Sequence, residues 1–415
     1  MAAACASLHT GEGGAGASGS RPRAASPGGI RDDSVPRAGT GSAQAHSLEG
    51  AAAPQETPQV EDWNPLAGPA ARLRDAAEGL GISYQWDVGV SYQRADQVDS
   101  GQHAYTSLIW QNLGAWTFLE TALGASSIGW ALEGTIGLDY NPSHESLAGG
   151  IGSSSALNAA IIPDTIAVDE LFLRQQSSDQ RFLVQAGMVD LSNQFDTNRI
   201  ANDTFSEFAA AALENNPSIP FPAFGGAGGL ARFQSAGAYV MAGTAGSSVT
   251  AAAPPWSTAD GDWYQLVEVG LQADWKRLGQ GTYRLTPWHN HREGEDGWGL
   301  GLNLDQELGT PAFLGFARLG LGDRDVTPVE AFVSAGFTLE GILDREHDGF
   351  GVAFATSDPS PGFGRRTETL LESYYRIQLS PTVQLSPLFH VVFDPAQRDE
   401  RETVFTGGLR LRISL

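Results

Sequence analysis

The chain reads as all-β, a transmembrane antiparallel barrel of about 16 strands, on three observations. From Gly81 onward apolar residues recur at every second position: in ISYQWDVGVSYQ, Ile82, Tyr84, Trp86, Val88, Val90 and Tyr92 share one face, and Ser83, Gln85, Asp87, Gly89, Ser91 and Gln93 the other. Aromatic residues gather toward strand ends, at Tyr84, Trp86 and Tyr92 and again at Trp130 and Tyr140, where a bilayer interface holds amphipathic rings. The polar faces carry Glu, Gln, Arg and Asp in strand after strand, and the last strand, VFTGGLRLRISL, runs flush to Leu415. A sheet that closes on its first strand and leaves no edge would end this way. A soluble β-sandwich or solenoid also fits the alternation taken alone, because period two does not distinguish lipid from a packed core.

Along the chain, residues 1–60 are Ala, Gly, Ser, Pro and scattered charge without periodicity, a composition that cannot bury enough surface to order itself. They are expected to be disordered. Ala43-Gln44-Ala45 resembles a cleavage site, but Arg31, Asp32, Asp33 and Arg37 precede it where an apolar core would be needed, so no secretory signal is read there. Residues 61–80 form a helical lead-in. PAARLRDAAEGLG starts with Pro69, sets Leu73, Ala76, Ala77 and Leu80 on one side, and stops at Gly81. Residues 81–415 are the barrel. Further ladders occur at Trp130, Leu132, Ile136 and Leu138, at Val267, Val269 and Leu271, and at Leu371, Tyr375, Ile377 and Leu379, with turn clusters such as NPSHES, GEDG and FDPAQRDE between them. At about 20 residues per strand and connection, the stretch from Gly81 holds roughly sixteen strands, enough for an aqueous channel.

Composition narrows the partners. Among 415 residues, 41% are hydrophobic and 18% charged, and no run approaches the roughly 18 apolar residues of a membrane helix. The formal charge of -23 excludes a nucleic-acid partner, whose phosphates demand a basic footprint. Lys276 is the single lysine, so nearly every cation is a planar arginine fork. Cys5 stands alone in the low-complexity head, which leaves no disulfide framework and no thiolate metal site, and no cofactor is expected. No G-x-S-x-G elbow or comparable nucleophile motif appears, and the chain is not read as an enzyme.

The segments VDELFLRQQSSDQRFLVQAGMVDLSNQFDTN (168–198), NPSIPFPAFG, HDGFGVAFATSD, ETLLESYYRIQLSPTVQLSPLFHVVFDP and GGLRLRISL, with the entry LRDAAEGLGISYQWDVGV, resemble the carbohydrate-selective porins of the OprB family in content and order. The resemblance spans residue 70 to the end. It implies a sixteen-stranded barrel in the outer membrane of a Gram-negative-type bacterium, passing mono- or small oligosaccharides by passive diffusion. It also implies a segment around 190–229 that folds inward to narrow the pore, and a C-terminal strand presented to the barrel-insertion machinery. The usual terminal aromatic is here Leu415. Outer-membrane lipids are the implied surroundings, and a homo-oligomer is compatible with them. A different reading of the same barrel is a plugged polysaccharide-binding or structural surface protein.

Period two within DELFLRQQ sets Glu170, Phe172, Arg174 and Gln176 on one face and Leu171 and Leu173 on the other. The charged face must be the lumen, since Arg at mid-bilayer costs about 2–4 kcal/mol. On the next strand Phe182, Val184, Ala186 and Met188 face lipid, leaving Gln185 inward. A sugar is uncharged and rich in hydroxyls that both donate and accept, so its selection calls for Arg, Glu, Asp, Asn and Gln converging on a narrow ring. The expected pore-lining residues are Glu170, Arg174, Gln185, Asp196, Asn198, Arg199, Arg232 and Arg376, with opposed Arg and Glu setting a transverse field. Phe172 and Tyr374 are aromatic candidates for stacking on a pyranose face, or for ordinary packing. His289, His291 and Glu293 in HNHRE would share a face if extended, but without further ligands nearby they read as a hydrated loop and no metal is assigned. DREHDG and GDRD read as acidic turns.

Overall fold

The computed structural model describes residues 67–139, 147–159, 164–222, 224–247, 261–292 and 294–415. The low-complexity head, Tyr140 and Glu293 lie outside them. Helix α1 (Ala67–Glu78) leads into β1 (Ile82–Ala95), β2 (Ala104–Thr121), β3 (Gly124–Gly137), the short helix α2 (Leu147–Ile151), β4 (Thr165–Ser177) and β5 (Phe182–Val189). Helix α3 (Ala211–Glu214) precedes β6 (Gly226–Ser235), β7 (Ala238–Gly246), β8 (Trp263–Trp275), β9 (Gly279–Arg292) and β10 (Glu295–Thr310). The chain finishes with β11 (Phe313–Gly322), β12 (Val329–Ile342), β13 (Arg345–Pro359), β14 (Glu368–Ser380), β15 (Val383–Phe393) and β16 (Thr403–Ser414).

Each strand pairs with its sequence neighbours and β16 returns to β1, with Tyr92 opposite Leu409 and Val90 opposite Leu411, so sixteen antiparallel strands close a barrel. Closure removes the unpaired edge that lipid cannot hydrate. The alternation is obeyed on the outer wall. Leu171 and Leu173 of β4, Val267, Val269 and Leu271 of β8, Leu300, Leu302 and Leu304 of β10, and Phe405 and Leu409 of β16 are exposed, and Trp86, Tyr92, Trp116, Trp275 and Trp298 stand among them. Leu409→Arg should therefore lower the urea stability of the folded barrel by about 2–4 kcal/mol if it sits at the bilayer midplane. Equilibrium unfolding in lipid vesicles reads this directly, and an unchanged midpoint would remove Leu409 from the lipid-facing band.

Three local departures from the sequence reading have physical causes. Helix α1 ends at Glu78, and Leu73 within it and Leu80 in the turn after it are exposed at 65% and 69%, so the expected apolar side has no cover among the described residues. The HNHR stretch is not a loop: it is the end of β9, paired residue by residue with β10 from Arg292 opposite Glu295, because the two strands run on to the end of their hairpin. The irregular run after β5 stops at Gly225, and Ala227–Gly229 belong to β6. Glycine there lets the strands close up, since a Cβ on Gly228 would stand 2.1 Å from the Thr244 carbonyl oxygen.

The interior differs most from the expected water-filled lumen. Residues 190–225 and the α2 region fold inside the barrel and pack on apolar patches of its inner wall. On one side Val189, Leu191, Phe195, Ile219 and Phe221 meet Leu183, Leu230, Met241, Tyr264, Leu266 and Trp288. On the other, Phe208, Ala209, Ala210, Ala212 and Leu213 join Leu147, Ile151 and Leu157 against Phe316, Phe332, Leu370, Tyr374, Leu388, Val392 and Val404. A strand face that looks amphipathic in sequence is thus buried on both sides wherever the inward segments dock.

Candidate permeation site inside the barrel

The inward segment 190–225 enters and leaves beside β4, where a bulge breaks the period. Ala131 faces Glu170 and Leu132 faces Val168, so Asp169 is the extra residue. The bulge turns two successive carboxyls, Asp169 and Glu170, to the inside. Glu170 accepts the Asp190 N–H at 3.2 Å and Asp169 accepts the Gly225 N–H at 3.0 Å, one carboxyl for each foot of the segment.

Across the lumen the segment is pinned by side chains from the far wall. Asp196 stands in the left-handed region at φ 56°, which Asp tolerates, and pairs with Arg318 Nε at 3.1 Å. Both side chains are fully buried. The same guanidinium donates to the carbonyl oxygens of Leu213 (2.6 Å), Ala201 (2.8 Å) and Asp196 (3.1 Å). Asn303 donates to the Asp196 carbonyl at 2.6 Å, and Asn198 donates to Asn303 Oδ1 at 2.7 Å. Glu372 receives the N–H groups of Ala209 and Ala210 at 2.7 and 2.9 Å, ahead of α3, and lies 3.3 Å from His390 Nε2. Arg410 donates to the carbonyls of Thr204 and Glu207, and Arg412 bridges Asp87 at 2.7 Å and Asp203 at 3.5 Å. Arg410 and Arg412 of the last strand therefore face inward as the alternation requires, but they bind polypeptide, and Arg410 is only 2% exposed.

Charge in this segment follows from burial. Glu214 is pushed up to about 8 by burial, and Glu207 likewise to about 8, by burial and the neighbouring Asp203 charge. Burial pushes Asp203 up too, but the Arg412 and Arg410 guanidiniums, with the Ser206 hydroxyl, outweigh it and hold the carboxyl below its usual range. Asp196 is raised by burial in spite of Arg318.

The ten side chains expected to line a pore separate into two groups. Glu170, Asp196, Asn198, Gln185, Phe172 and Tyr374 are buried, and the structure uses them as anchors or packing. The Tyr374 ring meets Phe208 edge-on at 5.1 Å, so its face is covered. Phe172 lies under the Arg174 guanidinium at 5.2 Å. Arg174, Arg199, Arg232 and Arg376 keep accessible surface. Arg199 is the most open of the segment's charges, with its side chain 34% exposed while it bonds Asp305 at 2.6 Å and Glu307 at 3.4 Å. Arg376 pairs with Glu340 at 2.5 Å across β13, where Gly349 leaves room: a Cβ there would come within 2.9 Å of Glu340. Arg174 bonds Gln185 Oε1 at 3.1 Å. Arg199 and Arg376 are thus neutralised by near carboxylates while Arg174 is held by a neutral carboxamide, and the charges do not form two opposed rows. Reasoning from sequence missed Arg318, Asp305, Glu340 and Glu372, and the alternation turned Arg410 and Arg412 inward toward water, where the structure sets polypeptide; the one signal was Arg318 as the lone charge in FLGFARLGLG. At the β9–β10 end, His289 and His291 both contact Asp296, at 3.2 and 2.9 Å.

The profile of the carbohydrate-selective porin, OprB family, matches residues 290–415, which cover β10 to β16. The whole fold is also similar to the high-pH structure of Pseudomonas putida OprB, with a TM-score of 0.71 at 14% identity over 84% of this chain and 97% of that one. The chain thus has the fold of a porin barrel, and its last third matches the OprB family model. Porin AaxA of Chlamydia pneumoniae is 23% identical to this chain over 88% of its length and 89% of the relative. An uncharacterized protein of Aquifex aeolicus is 26% identical over 55% of this chain and 63% of its own. A Rhodopseudomonas blastica porin triple mutant superposes with a TM-score of 0.52 at 13% identity, over 80% of this chain and all of that one. Barrels of this kind sit in the bacterial outer membrane.

Proposed function

We propose that this barrel passes mono- and small oligosaccharides by passive diffusion across the outer membrane of a Gram-negative-type bacterium, with residues 190–225 as its constriction. The observation that carries the reading is the combination of a closed, lipid-compatible wall and a tethered inner segment with accessible guanidiniums, on the segment and on the wall around it, each set beside a hydrogen-bond acceptor. Arg199 with Glu307, Arg376 with Glu340, and Arg174 with Gln185 each present fixed donors beside fixed acceptors. Such pairs suit a hydroxyl that donates and accepts at once, and the two that join a guanidinium to a carboxylate, Arg199 with Glu307 and Arg376 with Glu340, carry near-zero net charge and give a bare ion little reason to bind. Lipids and the barrel-insertion machinery are the expected partners, and a homo-oligomer is compatible with the outer wall.

Planar-bilayer recording tests the proposal: purified protein should give discrete conductance steps that added mono- or disaccharide reduces. Arg199→Ala and Arg174→Ala should each weaken that block several-fold, by the roughly 1–3 kcal/mol a charged hydrogen bond contributes. Conductance that ignores sugar would sink the selectivity, and a silent barrel that still binds glycans would favour the plugged surface protein.

A further inference from the structure

The acidic patch that receives both feet of the inward segment lacks the donors it needs. Glu133 of β3 adjoins Asp169 and Glu170 of β4, and Asp190 of the segment adjoins both of the latter. Asn193 lies against Asp169 and Glu170. The Asp190 carboxyl takes the Ser192 N–H at 2.8 Å on Oδ1. Its Oδ2 finds no donor, and neither do Asp169 Oδ2, Glu133 Oε1 or the carboxamide oxygen Asn193 Oδ1. Asp169, Asp190 and Asn193 are 0%, 1% and 4% exposed, so these atoms are closed off from bulk solvent. Arg174, the cation facing this patch, is tied to Gln185 of β5 and stacked on Phe172. Acceptor against acceptor in a buried site is costly, and a proton on one carboxyl gives both oxygens what they lack.

We infer that Asp190 docks as the neutral acid, sharing its proton with Asp169, so that the first foot of the inward segment is held by a proton and released when that proton leaves. Burial, reinforced by Asp169 and Glu170, raises Asp190 well above the ordinary carboxylate value of 3.8. A group raised in the docked state contributes stability that is complete below its undocked value and is lost as pH climbs through the docked one. Docking therefore weakens toward alkaline pH. Glu207 and Glu214, which face Asp203, Arg376 and Arg318, act in the same direction; Asp203, held low by Arg412 and Arg410, acts in the opposite one. They set a background slope on which the latch adds one proton.

Hydrogen exchange of the full chain, folded in detergent, reads the latch without needing any conductance, although its consequence for permeation rests on the porin reading. Protection factors of peptides within 190–225, corrected for intrinsic exchange, should fall as pH rises, by up to tenfold per pH unit for each linked proton. Asp190→Asn keeps a donor at the foot and should flatten the slope by one proton while heat-modifiable gel mobility reports an intact barrel. Asp169→Asn should do the same and serves if the first variant fails to fold. A slope unchanged in the folded variants, or protection in the unaltered protein that does not fall with pH, would overturn the latch. A channel silent at every pH would instead count against the porin reading alone.

Discussion

Arg318→Met is expected to free the inward segment while leaving the barrel closed. The guanidinium satisfies Asp196 and three carbonyl oxygens from Asp196, Ala201 and Leu213 in a site with no accessible side-chain surface. Methionine fills similar volume but strands the Asp196 carboxyl, and removing one partner of a buried pair typically costs about 3–5 kcal/mol. That loss falls on docking, because β11 keeps its ladders to β10 and β12 whatever its side chain. Single-channel conductance should rise and sugar block should fall, with heat-modifiable mobility preserved. Arg318→Lys should be intermediate, since an ammonium keeps the charge but not the fork that reaches several acceptors. Conductance and block both at the unaltered level in Arg318→Met would mean that the segment is held without this anchor.

Phe208→Ala should be nearly as disruptive by an apolar route. Phe208 is fully buried between Phe316 at 5.7 Å and Tyr374 at 5.1 Å. It immediately precedes the two N–H groups that Glu372 holds. Truncating a buried phenylalanine costs about 3–5 kcal/mol, transfer and cavity together. Limited proteolysis of the folded barrel should then cut within 190–225 at rates the unaltered protein does not show. Equal resistance in both proteins would argue that the apolar dock is dispensable.

Comparing these two sites with the sequence marks where legibility stops. The outer wall was readable, because lipid is one uniform neighbour and imposes one rule on every second residue: Leu171 and Leu173, Phe182 and Val184, and Leu409 all point where period two sends them. The inner wall obeys no single rule, since its neighbours are water in some places and folded polypeptide in others. Leu370, Leu388, Val392 and Val404 lie on the same side of their strands as Glu372, His390 and Arg410, and nothing in the alternation says that an apolar segment covers them. Asp196 and Glu170 looked like pore charges for the same reason. Their partners, Arg318 and the Asp190 N–H, are 122 and 20 residues away along the chain.

By itself the sequence determined a closed antiparallel barrel, its approximate strand number and the inward direction of Arg174, Gln185, Arg410 and Arg412, because backbone pairing and lipid contact are repetitive and local. Only the tertiary structure decided which inward charges remain accessible, as Arg199 and Arg376 do, and which are consumed as anchors, as Asp196 and Arg410 are. That division depends on which polar group is folded against which. It is settled by contacts between residues far apart in the chain, for which a strand's period carries no information.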